Sequence, residues 1–309
     1  MSQANAPFKH ESTLTSRHKS YNFIAPEKFK GSHAGKVVFI TGGGRGLGKA
    51  MAMAFAAAGA SIAVLGRSET PLKETASEIQ KKYNAKVISI VGDVTDPAVP
   101  EAAIAECKQK LGEIDILINN AGQGRFASIE KDDMDKWWSI YELNVKGPIN
   151  FMHAVLPGMR ARKTGIIFNI ASDAGVKGVP FTSAYSSAKT AIIRVSQMLS
   201  WEVQEHGIQV YSIHPGTVAT NFAYVDGLIN FAELDENPQM KMMLSMREQF
   251  LEDDPELSAH SVVALAALEE VKALNGRYID CTKDIGELLE GVRAGKLTPD
   301  MSILTIKAM

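Results

Sequence analysis

Six short runs of β-branched and apolar residues recur along the chain at Val37 to Thr41, Ile62 to Leu65, Val87 to Val91, Ile114 to Ile118, Ile166 to Ile170 and Gln209 to Ile213. Each is nearly continuous rather than alternating, the pattern of a strand covered on both faces, and helical patterns of ten or more residues separate them. Strands joined by crossovers of that length pair in parallel, with right-handed connections. The expected fold class is therefore α/β, a doubly wound parallel sheet with helices on both faces, ending in a short strand at Arg277 to Asp280 after a helix at Ala259 to Leu268.

At 309 residues the chain is long enough to bury a large core, and it reads as one domain over 36–309. A formal net charge of -2 gives no electrostatic reason to expect nucleic acid or an anionic membrane as partner, which leaves a small molecule. The alanine-rich stretch between Lys49 and Arg67 is uncharged, but Gly59-Ala60-Ser61 divides it into a helix and a short strand. Each piece is too short to cross a hydrocarbon layer of roughly 30 Å. Cys107 and Cys281 stand far apart in no metal-ligand spacing, so neither a disulfide framework nor a metal is expected, and a reducing, cytoplasmic setting fits. Residues 1–35 are polar, lack the apolar run of a secretory signal, and read as an N-terminal arm, disordered or wrapped on a partner.

Between Thr217 and Leu251 the alternation of strand and helix stops, and Phe222, Tyr224, Phe231, Met240, Met243, Met246 and Phe250 punctuate a segment containing Asn237-Pro238. This is an insertion. Met and aromatic residues at helical spacing serve either as ordinary core or as an apolar lid over a cleft, and the sequence leaves both readings open.

Two motifs carry chemistry. The first strand runs through Thr41-Gly42-Gly43-Gly44-Arg45-Gly46-Leu47-Gly48 into a helix, so backbone N–H groups and the positive end of the helix dipole can face a pyrophosphate without obstruction by side chains. The second is Tyr185-Ser186-Ser187-Ala188-Lys189, 13 residues after Ser172. Its i to i+4 spacing sets a phenol and an ammonium on one helix face, where the cation favours the phenolate. At the end of the second strand, where a carboxylate would accept hydrogen bonds from a ribose 2′-OH, stand Gly66 and Arg67. Together with Arg45 this favours a 2′-phosphate, hence NADP over NAD. Asp93 reads equally as a cap on the adenine end or as a turn residue before Val94-Thr95. Asp173 and Arg125 read as solvated loop charges, with contact to a cationic and an anionic substrate group as the respective alternatives, and His206 and His214 read as structural histidines.

With these motifs, Asn119-Asn120-Ala121-Gly122 after the fourth strand, Asn144 in Asn-Val-Lys-Gly and Pro215-Gly216-Thr217-Val218-Ala219-Thr220 after the sixth, the chain resembles the short-chain dehydrogenase/reductases, in their single-domain branch with a Tyr-x-x-x-Lys site. The resemblance runs from Lys36 to Asp280, and the preamble and ending look similar to fungal members, many of which act on secondary metabolites. It implies a Rossmann-like fold and a catalytic set in which Tyr185 passes a proton to or from the substrate oxygen. In that set Lys189 steadies the phenolate and holds the nicotinamide ribose, Ser172 binds the developing alkoxide, and Asn144 holds a water leading to solvent. It also implies that cofactor lies along Gly42, Gly44, Arg45, Gly46, Leu47 and Gly48, then Arg67, Asp93 and Val94, then Asn120, Ala121 and Gly122, then Tyr185 and Lys189, and finally Pro215, Gly216, Val218 and Thr220, the last orienting the carboxamide.

The expected activity is an NADP-dependent ketoreductase of a small, largely apolar carbonyl compound, acting as a homodimer or homotetramer through the helices flanking Ser172. The rival expectations are an alcohol dehydrogenase running the same reaction in the oxidative direction and a catalytically idle NADP-binding sensor or scaffold.

Overall fold

A computed structural model describes residues 13–218, 229–248 and 252–296. Seven strands form one sheet: β1 (Val37–Thr41), β2 (Ser61–Gly66), β3 (Val87–Val91), β4 (Ile116–Asn119), β5 (Gly165–Ile170), β6 (Ile208–His214) and β7 (Tyr278–Asp280). Their spatial order is β3-β2-β1-β4-β5-β6-β7, and every adjacent pair is parallel. The order reverses direction between β1 and β4, which opens a crevice at their carboxyl ends. The fourth strand starts two residues later than its apolar run, because Asp115 is spent on joining strands: its carboxylate accepts the Val37 N–H at 2.9 Å and pairs with Lys36.

All five residues of β1 are buried, as the absence of polar alternation requires. Val38 and Ile40 face one core with α1 (Gly46–Ala57), α2 (Glu69–Tyr83), α9 (Pro255–Ala267) and α10 (Ile285–Arg293). Val37 and Phe39 face the other, shared with α3 (Val99–Leu111), α5 (Gly147–Arg162) and α6 (Ser183–Val203). A π-helical turn, Glu142–Lys146, joins α4 (Met134–Tyr141) to α5. In the inserted segment α7 (Phe231–Glu236) is followed by α8 (Pro238–Glu248). Asn237 caps α8 by accepting the N–H groups of Gln239 and Met240, and Pro238 occupies the first turn, where a missing N–H costs nothing. Met240 is buried while Phe231 and Met242 are exposed, so the apolar residues of the insertion divide between core and surface. Phe222, Tyr224 and Phe250 lie outside the described residues.

The N-terminal segment differs from expectation. From residue 13 it lies against the domain: Ile24 and Phe29 enter the core beside α9, Tyr21 accepts the Ile285 N–H at 2.6 Å, and Arg17 pairs with Asp284 at 2.6 Å. Burial pushes the Tyr21 phenol above its ordinary value. This packing escaped the sequence because short 3₁₀ turns at Asn22–Ile24 and Pro26–Phe29 carry it, and these leave no long periodic signature. Replacing Ile24 by Ala should therefore lower unfolding free energy by roughly 2–5 kcal/mol, as for any buried Ile, when measured by urea titration. A loose arm would show less than about 0.5 kcal/mol.

Candidate active site

The β1 to α1 turn is shaped by the closeness of backbone to backbone. Gly42 has φ +67°, and a Cβ there would lie 2.9 Å from Asn120 Nδ2 and 3.0 Å from Ala121 Cα. At Gly48 a Cβ would come within 2.3 Å of the Gly42 carbonyl oxygen. Thr41 ties this turn to the end of β4: its Oγ1 accepts the N–H groups of Asn120 and Ala121, each at 3.0 Å. The Asn120 amide donates to the carbonyls of Thr41 and Gly42. Asn120, expected along the cofactor, thus spends its side chain on the turn itself. Arg45 precedes α1 in extended backbone with no side-chain cap, which leaves the first helical N–H groups at the crevice in an arrangement suited to a phosphate. Leu47 is half-buried, and Gly44 lies against Leu72.

At the β2 end, Arg67 is exposed beside Gly66, as is Arg45 on the turn. Asp93 makes the turn bonds open to it, with one oxygen accepting the N–H and hydroxyl of Thr95, and its other oxygen lies 4.0 Å from the Arg67 guanidinium. Val94 is buried against Gly147.

Across the crevice, α6 carries Tyr185 and Lys189, with the ammonium 5.6 Å from the centre of the phenol ring. Lys189 is buried and donates to the Ile170 carbonyl at 2.7 Å. Burial lowers its pKa to about 7, so the side chain titrates near neutrality. A methyl group built on Gly122 would lie 2.8 Å from Asn144 Oδ1 and 3.5 Å from Lys189 Nζ, so the two polar atoms converge on one point beside that glycine. Asn144 sits inside the π-helical turn, where its amide donates to the carbonyls of Gln123 and Ile140. Its Oδ1 is buried and has no hydrogen-bond partner among the described residues. An acceptor in that state calls for a donor such as water or a ligand hydroxyl.

Ser172 caps a single 3₁₀ turn, accepting the Ala174 N–H at 3.2 Å, and Gly175 brings that turn onto the Lys189 backbone, where a Cβ would meet the carbonyl carbon at 2.8 Å. Thr190 reinforces the contact by donating to the Gly175 carbonyl. The buried His214 accepts the Asp173 N–H through Nδ1 and stacks on Tyr278, the satisfied structural role expected of it. The structure thus gathers Asn144, Ser172, Tyr185 and Lys189 around one crevice wall.

The far wall is the turn after β6. Pro215 leads into Gly216, whose φ of +93° and whose Cβ position, 2.7 Å from an Asp253 oxygen, both exclude a side chain. Thr217 donates its N–H to Asp253 at 2.6 Å, and Val218 bridges Asp253 in parallel pairing. Thr220 lies outside the described residues. Arg125 corrects a sequence reading: it forms a buried ion pair with Asp132 rather than a solvated charge, since the loop after β4 folds over it. That loop also holds α7, because Phe126 accepts the Asn230 N–H and Glu233 accepts the Ser128 N–H. The roles of Asp132, Asp253 and the Thr41 hydroxyl leave no sequence signal, since the partner of a single hydroxyl or carboxyl group is not set by spacing.

A crevice at the switch point of a doubly wound sheet, with a glycine turn on one side and a Tyr-x-x-x-Lys helix on the other, defines a class of dinucleotide-dependent oxidoreductases. Residues 36–232 match the family model for short chain dehydrogenases, and the chain belongs to that family. It is 33% identical over 294 residues to a short chain dehydrogenase of Pseudocercospora fijiensis, covering 92% of this chain and 94% of that one. A second short chain dehydrogenase, from Monascus ruber, is also 33% identical, over 92% of this chain and 90% of its own length. Among solved structures, L-sorbose reductase of Gluconobacter frateurii in complex with NADPH and L-sorbose is similar with a TM-score of 0.69 at 30% identity, covering 80% of this chain and 95% of that one. An NAD+-bound xylitol dehydrogenase is similar with a TM-score of 0.70 at 27% identity, over 80% and 98%. Family membership brings nicotinamide-dependent chemistry on alcohol or carbonyl groups. No helix among the described residues is long and apolar enough to cross a membrane.

The buried lysine generates a pH prediction. Its charged form is disfavoured in the fold, so the folded state binds fewer protons than the unfolded chain between about pH 7 and 10.5. Stability on this account rises with pH across that window and carries the full penalty below pH 7. Lys189→Met, which removes the penalty, should stabilise the protein by a few kcal/mol at pH 7 and by little above about pH 10.5. Urea midpoints measured across that range would check this, and a pH-independent difference would refute it.

Proposed function

We propose that the protein is an NADP(H)-dependent ketoreductase of a small, largely apolar carbonyl compound, with the same residues able to run the alcohol oxidation in reverse. The observation that carries this reading is the convergence of Asn144 Oδ1 and Lys189 Nζ beside Gly122, with Tyr185 one helical turn away and Ser172 on the turn packed against Lys189.

The crevice fits the cofactor by its own chemistry. Gly42, Gly44, Gly46, Leu47 and Gly48 would seat the pyrophosphate against uncapped N–H groups, with Arg45 and Arg67 over the 2′-phosphate. Asp93 and Val94 would border the adenine, and Ala121 and Gly122 the central ribose behind the turn held by Asn120. Pro215, Gly216, Val218 and Thr220 would close the nicotinamide end. When bound, the dinucleotide supplies or takes up the hydride.

Tyr185 gives its phenolic proton to the substrate oxygen, and Ser172 donates a hydrogen bond to the same oxygen as charge develops there. Lys189 offsets the charge left on the phenolate. Its pKa of about 7 in the free protein lets it both hold and release a proton near neutrality. Asn144 Oδ1 accepts from a water that returns the proton from solvent. Phe126 and Phe181, with ring centroids 5.7 Å apart on the loops after β4 and β5, form an apolar pair that would border the substrate in this reading. The kinship with fungal short chain dehydrogenases supports a role in secondary metabolism, and two free, buried cysteines are consistent with a cytoplasmic setting.

Turnover of a panel of apolar ketones with NADPH should exceed that with NADH. Tyr185→Phe should lower kcat by roughly a hundredfold or more while NADPH binding persists. Tight binding of NADPH with no turnover on any carbonyl or alcohol would instead favour the sensor or scaffold. We also propose a homodimer or homotetramer built on the groove of about 350 Å³ between α5 and α6, lined by Ile149, Met152, Leu156, Val195 and Met198. Multi-angle light scattering at micromolar concentration should give two or four copies, and a monomer would overturn this.

A further inference from the structure

The turn at 215–218 is held by a side chain from outside the crevice, and that side chain is in turn held by the N-terminal segment. Asp253 is buried, yet both its carboxylate oxygens are engaged: Oδ2 accepts the Thr217 N–H at 2.6 Å, and Oδ1 accepts from His18 Nδ1 at 2.8 Å. The backbone repeats the link. Asp254 donates its N–H to the His18 carbonyl at 2.9 Å, and Val218 bridges Asp253. Gly216 has no side chain because the Asp253 carboxyl group fills that space. His18 itself is fixed from both sides, by Arg17 on Asp284 and Ser20 on His260. A carboxylate with one oxygen on the turn and one on an imidazole cannot shift without breaking a charge-assisted bond.

We infer that His18 is a positioning residue, which acts through Asp253 to fix the turn Pro215–Val218 at the nicotinamide end of the crevice. The N-terminal segment is thereby part of the machinery that shapes the cofactor site, although it lies outside the stretch matched by the family model. The cofactor half of this inference rests on the proposed function. The coupling of His18 to the turn does not.

The test compares the full-length wild type with His18→Phe, His18→Asn and Ser20→Ala. Asn can return a donor near the place of Nδ1, and Ser20→Ala loosens the same segment without touching Asp253. Amide hydrogen exchange at Thr217 and the Kd for NADPH, read by tryptophan fluorescence, should both rise in His18→Phe by about tenfold, the scale of one lost hydrogen bond to a charged group. His18→Asn should recover most of the change, and Ser20→Ala should match wild type. Unchanged exchange and Kd in His18→Phe, or equal changes in Ser20→Ala, would overturn the inference. A wild type that fails to bind NADPH while the exchange contrast persists would strike the cofactor reading and leave the His18 coupling standing.

Discussion

The structure depends on how closely two loops approach at the middle of the sheet. Where β1 ends and β4 ends, the Asn120 amide and the backbone leave no room for a Cβ at Gly42 or Gly48, and the Thr41 hydroxyl holds the loop after β4 by accepting the Asn120 and Ala121 N–H groups. Those contacts fix the two loops that border the crevice opened by the reversal of strand order between the paired strands β1 and β4. The glycines serve the ligand by leaving the approach open, and they serve the fold by letting α1 lie directly against the end of its own strand. A site of this kind is a by-product of topology, sharpened by residues chosen for size.

Chemistry on the other wall depends on a costly placement. An ammonium buried beneath a phenol, bonded to one carbonyl and close to an acceptor lacking a donor, is a poor arrangement for stability. It persists because packing around α6 over-determines it: Gly175 abuts the Lys189 backbone, and the turn before it is tied to β6 through His214. The energetic tension at Lys189 and Asn144 is the usual cost of a group that must change protonation during a reaction.

Sequence reasoning recovered what is local. Strands buried on both faces announce themselves as unbroken apolar runs: β1 and β3 coincide with theirs, the other strands, including the short β7, differ by at most two residues at an end, and the helix bearing Tyr185 follows from its own periodic stripe. The glycine turn and the Tyr-to-Lys spacing are equally local, and the structure brings these residues to one crevice. What could not be read was pairing between single residues that follow no regular spacing, near or far in the chain. Arg125 looks like any loop arginine until the loop after β4 turns Asp132 onto it, and nothing near Asp253 announces that His18, 235 residues away, and Thr217, 36 residues away, will both bond its carboxylate. The wide turn around Asn144 was also invisible, because a π-helical step costs one residue and alters no pattern.

The N-terminal segment has a consequence for the order in which the molecule is made. Thr15 bonds Glu287, Arg17 bonds Asp284 and Thr282, and Tyr21 accepts from Ile285, all far along the chain. Translation from the amino end therefore leaves Tyr21, Ile24 and Phe29 without their final surroundings until α10 has left the ribosome. The central strands can pair earlier, so residues 15–29 are among the last parts of the domain to settle, and a ribosome stalled before α10 would display an adhesive apolar stretch to any chaperone nearby.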